Sequence, residues 1–311
     1  MSKKDSNTNN QEGFSKVSLN WYPGHMAKTR RQIEQDIKIV DIVIELLDSR
    51  IPMSSRNPDI LNITAKKKRI IVLNKCDLSD EKKNQQWVAY FRNQGISAVL
   101  TDSNTGRGID NFIKEIEKIM GEQLQSEAQK GRVGRKIRAM VLGIPNVGKS
   151  SFINRISKRT TAGVGNKPGV TKQKQWIRIN YKIELLDTPG VLWPKFESEE
   201  VGLNLAFTGT IKEEILPRVE IAYQLLKNLL GNYRKNIIER YGISESYIEE
   251  TLNQDQPENI NIYEIMLEIG KKRGCIMSGG NIDEEKTARI ILDEFKNGKL
   301  GKITLETPLN N

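Results

Sequence analysis

The sequence predicts an α/β fold: a parallel-rich sheet with helices around it, followed by a small all-α domain. Three observations carry this. Short apolar runs at 39–47, 69–73, 96–100 and 137–142 each lead into a polar or glycine residue. Helical patterns separate these runs, and strands alternating with helices imply a parallel sheet. After Pro194 the strand patterns stop and helical ones continue.

Residues 1–18 are polar, lack the apolar stretch of a secretory signal, and read as a disordered tail. Residues 26–36 are polar and helix-compatible. The run 39–47 (IVDIVIELL) reads as a strand ending at Asp48, and 69–73 (RIIVL) as a buried strand ending at Asn74. Residues 81–94 suit a helix with Trp87, Val88 and Phe91 on one face. A strand at 96–100 and a helix at 109–120 follow, the latter with Ile113, Ile116 and Ile119 on one face. The polar stretch 121–135 is a linker or an exposed helix extension. A strand at 137–142 runs straight into Gly143, and 176–179 with 182–186 read as a hairpin turning at Asn180 and Tyr181. Helical segments follow at 218–230, 235–241, 245–252, 262–273 and 283–297. The division expected is a tail (1–18), a nucleotide domain (19–197) and an all-α domain (198–311).

Composition adds bounds. Of 311 residues, 37% are hydrophobic and 28% charged, enough for a packed core. Lys and Arg total 49 against 39 Asp and Glu, and the net charge of +10 suits equally an anionic partner such as nucleic acid or a lysine-rich solvated surface. Cys76 and Cys275 are the only cysteines, so no disulfide framework is implied and a reducing cytoplasm fits. No apolar run is long enough to span a membrane, and a monomer is expected.

Gly143-Ile-Pro-Asn-Val-Gly148-Lys149-Ser150 is a complete G-x-x-x-x-G-K-S between a strand and a helix-compatible segment. Its glycines let backbone N–H groups curl around a phosphate at the positive end of the next helix. Asn146, Val147, Gly148, Lys149, Ser150 and Ser151 are therefore nucleotide-binding candidates. Lys149 reaches the β- and γ-phosphates, and the Ser150 hydroxyl ligates Mg²⁺. Asp187-Thr-Pro-Gly190 ends another apolar strand; Asp187 can hold the magnesium ion through water, and the Gly190 N–H can bond the γ-phosphate. The Gly-, Lys- and Thr-rich stretch 161–174 is a candidate switch loop. Thr171 is its first candidate to bring a hydroxyl to Mg²⁺, with Thr160 and Thr161 as rivals.

Asn74-Lys75-Cys76-Asp77 closes the second strand. A carboxylate at Asp77 can accept from guanine N1–H and the exocyclic amine together, a donor pair adenine lacks. Asn74 bonds the base edge or ties loops together, and the Lys75 stem can lie against the ring. Asp102 and Ser103 follow the next strand, where backbone N–H groups can meet the guanine oxygen.

These motifs resemble those of translation-factor-class GTPases, but in another order: base motif at 74, phosphate loop at 143, D-T-P-G at 187. In the usual order the base motif comes last, so the chain looks like a circularly permuted P-loop GTPase. Parallel strand ends still converge on one edge whatever their connections. With Trp21-Tyr-Pro-Gly-His-Met-Ala-Lys28 and the C-terminal Gly279-Gly-Asn-Ile-Asp283, the chain resembles the ribosome biogenesis GTPase A family over nearly its whole length after the tail. The resemblance implies a permuted GTPase domain followed by an all-α domain. It also implies GTP hydrolysis to GDP stimulated by the large ribosomal subunit, and a role in that subunit's late assembly through its rRNA.

The position that often carries a water-orienting Gln is Val191 here, followed by Leu192. By resemblance, His25, the chain's one histidine, is the catalytic residue; its other reading is a helix cap or RNA contact. Related GTPases lacking the Gln use an Asn at the place of Asn146 to help hold K⁺ beside the phosphates. Lys28, Arg30 and Arg31, residues 66–69, Arg132, Arg135 and Lys136, residues 271–273, and Lys296, Lys299 and Lys302 are basic clusters for RNA phosphate. Trp21, Tyr22 and Trp193 either stack on bases or pack in the core. The alternatives are a P-loop ATPase and a nucleotide-gated RNA-binding module with negligible turnover.

Overall fold

The structure, a computed structural model, describes residues 25–131, 134–160, 176–180, 182–188, 190, 192–193, 196–211, 217–254 and 258–308, with the backbone alone at 25–27, 158–160 and 259.

Six strands form one sheet: β1 (Ile42–Asp48), β2 (Lys68–Asn74), β3 (Ser97–Leu100), β4 (Ile137–Leu142), β5 (Trp176–Arg178) and β6 (Ile183–Leu186). Their order is β3-β2-β1-β4-β6-β5, parallel throughout except for β5 against β6. β1 is buried along its whole length because both faces are covered. Alternate side chains therefore go to different layers. Ile42, Ile44 and Leu46 join the core formed with α4 (Ile109–Gln129) and α5 (Lys149–Thr160), where Phe112 and Phe152 meet edge to face at 5.0 Å. Val43 packs with Ile33 and Ile37 beside α1 (His25–Asp36) and with Ile60 of α2 (Pro58–Thr64), and Leu47 packs under Trp87 and Phe91 of α3 (Glu81–Asn93). Glu45, on the same face as Val43 and Leu47, is buried and ion-paired with Arg56 at 3.0 Å and Arg69 at 3.5 Å.

Several expectations change. The first strand begins at Ile42, since Ile37–Ile39 is a 3₁₀ turn. The stretch after residue 120 is a helix extension to Gln129, and the buried face of α4 runs through Ile109, Phe112, Ile116 and Met120. Ile113 and Ile119 are only partly buried. α2 was not expected; Asn57 caps it by accepting from the Asp59 and Ile60 N–H groups, with Pro58 at its first position. α6 (Glu199–Phe207), capped by Ser198, was also not expected.

Beyond β6 the described elements are helices: α6, α7 (Arg218–Asn232), α8 (Arg234–Tyr241), α9 (Glu245–Leu252), α10 (Glu258–Lys272) and α11 (Glu284–Lys296). Their apolar side chains, such as Leu205, Leu226 and Ile291, belong to the same buried cluster as Ile44 and Phe152. Trp193 is part of that cluster, its ring edge-on to Phe196, so it does not stack on a base. After α11 the chain returns to the sheet domain, where Ile303 and Leu305 are buried.

The basic clusters are largely occupied within the chain. Lys67 donates to Val40 O (2.7 Å), Lys68 to Ile119 O (2.8 Å), and Arg135 pairs with Asp41 at 2.6 Å. Arg273 reaches Glu294, and Lys136 is bonded to Glu184. Lys28, Arg31, Lys299 and Lys302 are exposed. Trp21, Tyr22 and Arg132 lie outside the described residues.

Candidate functional site

β1 and β4 are neighbours whose following connections run to opposite sides of the sheet. Such a divergence opens a crevice beyond the strand ends, where α/β folds bind ligands. The 143–150 loop crosses that crevice, and its glycines have steric reasons. A Cβ on Gly143 would lie 2.6 Å from Leu46 O, and one on Gly148 (φ +97°) would lie 2.5 Å from Asn74 Nδ2. Asn146 holds φ 59°, a left-handed conformation that Asn tolerates. Its amide donates 2.6 Å to Gly209 O, just past α6.

Lys149 is buried at the start of α5, with Nζ donating to Gly143 O (2.9 Å) and Ile144 O (2.7 Å). Burial pushes its ammonium down to about 8, while Asp187 pulls the other way. A Cβ on Gly190 would stand 2.8 Å from Lys149 Nζ and 2.9 Å from Pro145 N, so the Gly190 backbone lies against the loop. Thr188 anchors this segment by donating its hydroxyl to Val141 O. Ser150 and Ser151 are exposed in the first turn of α5, and Asp187 is half-buried just after β6. Thr171, Thr161 and Val191 lie outside the described residues; Thr160 ends α5 and His25 opens α1, their side chains undescribed.

Asn74 ties loops together. Its Nδ2 donates to Val147 O at 3.0 Å, while its Oδ1 accepts from Ser103 Oγ at 2.7 Å and Thr101 Oγ1 at 3.2 Å. One side chain thereby joins the ends of β2 and β3 to the phosphate loop. Lys75, at φ 60°, sends Nζ to Asn146 O (2.7 Å) and to Asp48 Oδ2 (3.0 Å). Asp48 is also gripped by Arg50, with Nε at 2.9 Å and Nη2 at 2.8 Å. Burial opposes its charge, but Arg50 and Lys75 outweigh this and hold the carboxyl well below the usual range. Asp102 turns inward, accepting from Asn104 N at 2.7 Å and Thr105 Oγ1 at 2.5 Å. It organises its loop with its side chain, while Ser103 is engaged with Asn74.

Asp77 differs from these. Its Oδ1 is buried and has no hydrogen-bond partner among the described residues. Burial pushes its pKa up. Its carboxylate closes the Asn74 to Asp77 segment, whose Asn74 and Lys75 side chains are bonded to the phosphate loop.

The comparisons with known proteins agree with this geometry. A family model described as "50S ribosome-binding GTPase" matches residues 138–260, spanning the phosphate loop and Gly190 but not Asn74 to Asp77. The ribosome biogenesis GTPase A of Bacillus cereus is 44% identical over 290 residues, 93% of this chain and 94% of that one. The chain belongs to the ribosome biogenesis GTPase A family. The mitochondrial ribosome-associated GTPase 1 of Bos taurus is 30% identical, over 93% of this chain and 89% of that one. The crystal structure of GNP-bound YlqF from T. maritima superposes with a TM-score of 0.60 at 25% identity, covering 91% of this chain and 100% of that chain. The fold is thus the circularly permuted GTPase fold of ribosome biogenesis GTPase A, as the motif order implied. Sequence reading missed the Asp48–Arg50–Lys75 cluster. Its one local signal was a strand ending in Asp at the same edge as Asn74.

Proposed function

We propose that the chain is a GTP-hydrolysing assembly factor for the large ribosomal subunit, releasing GDP and phosphate and working in the cytoplasm as a monomer. The observation that carries this reading is the joining of the Asn74 to Asp77 segment to a complete phosphate loop through the Asn74–Val147 and Lys75–Asn146 bonds. Asp77 takes guanine, with the Ser103 backbone N–H toward the purine oxygen; the Asp102 N–H is spent within its own loop, on Arg107 O at 3.0 Å. Residues 146–151 and Gly190 take the phosphates. The donor set suits magnesium. Ser150 and Asp187 offer hard oxygens, and no group of three His, Cys, Asp or Glu side chains gathers among the described residues. Magnesium is usually held by one or two protein oxygens together with substrate phosphates. When bound, it neutralises charge on the β- and γ-oxygens. Thr171 is assigned to the same ion in the triphosphate state. Potassium at Asn146 is supported by residue type and position.

The helical region, 198–311, is assigned to RNA, with Lys299 and Lys302 as exposed cations. Among the described residues no helix is long and apolar enough to cross a membrane. Two arrangements of the Gly190 segment, with and without γ-phosphate, would be felt in α6 through Leu192 and Trp193 and through the Asn146–Gly209 bond.

The test is turnover of GTP and ATP in parallel, with and without large ribosomal subunits. GTP turnover rising with subunits while ATP stays inert supports the proposal. Equal turnover of both nucleotides, or no response to subunits, refutes it. Val191 is apolar and cannot orient water, so the polar group comes from elsewhere, and His25 is assigned that role. The His25→Ala variant is expected to bind GTP normally and to lose about 10²–10⁴-fold of subunit-stimulated kcat, the usual worth of a positioned acid or base. Stimulated kcat within twofold of the parent would remove the assignment.

A further inference from the structure

We propose that residues 303–306 form a strap that positions the guanine-reading loop, making the helical region a determinant of purine selectivity. The proposal rests on the assignment of Asp77 to guanine.

Asp77 lies in a short loop between β2 and α3. Its near side is held within the sheet domain: Cys76 N donates to Thr101 O at 3.1 Å, and Leu78 N to Lys75 O at 3.0 Å. Its far side is held from the other end of the chain. Ile303 N donates to Leu78 O at 3.0 Å, and the Asp80 N–H donates to Thr304 Oγ1 at 3.0 Å. Gly298 is so close to Leu78 that a Cβ there would meet Leu78 Cδ2 at 2.7 Å. The residue following Asp77 is therefore fixed through both its carbonyl and its side chain.

Thr304 is fully buried, and its hydroxyl works in two directions. While accepting from Asp80 N, it donates to Ser49 O at 3.4 Å. Ser49 in turn gives its N–H (2.9 Å) and its hydroxyl (2.7 Å) to Asn74 O. One hydroxyl thus joins the loop after β1 to the loop after β2, on either side of the Asn74 to Asp77 motif.

The strap is fastened to the helices. Tyr233, just past α7, donates its hydroxyl to Thr304 O at 2.9 Å and accepts from Thr304 N at 3.1 Å. The Glu306 carboxylate accepts from Met53 N at 2.6 Å, Ser54 N at 2.8 Å and the Asn204 amide of α6 at 3.3 Å, and from the Ser54 hydroxyl. Leu305 N donates to Arg50 O at 2.8 Å, and Arg50 itself lies over the Phe295 ring of α11. A shift of α6, α7 or α11 must therefore move the strap or break it, and the strap meets the sheet domain at the segment that carries Asp77.

Thr304 and Tyr233 are positioning residues, and nucleotide choice separates their role from plain stability. Hypoxanthine lacks the exocyclic amine, so GDP affinity depends on Asp77 placement more steeply than IDP affinity does. The experiment measures Kd for GDP and IDP on the full chain and on Thr304→Val, Thr304→Ser, Tyr233→Phe and Asp77→Asn. Thr304→Val is expected to weaken GDP by about five- to tenfold, the worth of one hydrogen bond, and IDP less, so the GDP preference shrinks. Thr304→Ser, which keeps the hydroxyl, restores it, and Tyr233→Phe shifts it in the same direction as Thr304→Val by a smaller factor. If Thr304→Val and Tyr233→Phe weaken GDP and IDP equally, or neither, while Asp77→Asn abolishes the preference, the strap proposal alone fails. If Asp77→Asn leaves the preference intact, the guanine assignment fails and the strap with it.

Discussion

Asp77→Asn is expected to lose GTP and gain xanthosine triphosphate. Guanine offers N1–H and an exocyclic amine, both donors, and a carboxylate accepts both. Xanthine carries a carbonyl where guanine carries the amine, and an Asn amide supplies the donor it needs. Two charge-assisted hydrogen bonds are lost to GTP, each worth about 1.5–3 kcal/mol. GTP affinity should therefore fall by about 10²- to 10⁴-fold. The fold should be little affected, because Asn is nearly the same size and shape as Asp and keeps an oxygen that can accept. Competition of GTP and XTP against a fluorescent guanine nucleotide reads both halves. GTP binding that survives the substitution would mean that the base is read elsewhere.

Lys149→Met should lower GTP turnover by about 10²–10³-fold, the cost of removing one preorganised donor to developing charge. Met keeps the length of the buried stem, so the loop should hold. The pH dependence is a sharper test. The nucleotide-free ammonium titrates at about 8, lowered by burial, and a polyphosphate favours the charged form. Below that pH the lysine already holds its proton, and this group gives no slope. Above it, binding must take up a proton, so affinity falls by up to about tenfold per pH unit until the bound-state pKa is reached. For stability the sign is reversed. In the unfolded chain the lysine keeps its ordinary higher pKa, so between the two values the unfolded state binds more protons and the nucleotide-free fold gains stability as pH rises. Lys149→Met should flatten both profiles. An unchanged affinity profile in the variant would assign the titration to another group.

What could be read from the sequence was what lies close together in it. The phosphate loop is eight consecutive residues, and the base motif four, each placed at a strand end by an apolar run that announces itself. The alternation of strands and helices gave the fold class because periodicity is local. The pairings that hold the site are not local. Thr304 meets Ser49 across 255 positions and Arg50 meets Lys296 O across 246, and no pattern in one chain marks them. α2 escaped notice because its seven residues are too few to display a period, and only its Asn57-Pro58 cap signals it. On α4 three isoleucines drew attention to one stripe, whereas the larger Phe112 and Met120 set the buried face one residue away from two of them. Charge clusters misled in another way: Arg69 and Arg135 are basic in composition but committed to Glu45 and Asp41. Opposite charges distant in sequence neutralise each other only once the fold exists.

The strap also bears on how the protein is made. β1, β2 and β3, with the base motif, precede the phosphate loop in the chain, and residues 303–306 follow every nucleotide motif. The guanine half is thus translated early yet acquires its brace late, from contacts of the greatest sequence separation, which form slowly. A nascent chain halted after α11 would carry every nucleotide motif and still lack the brace.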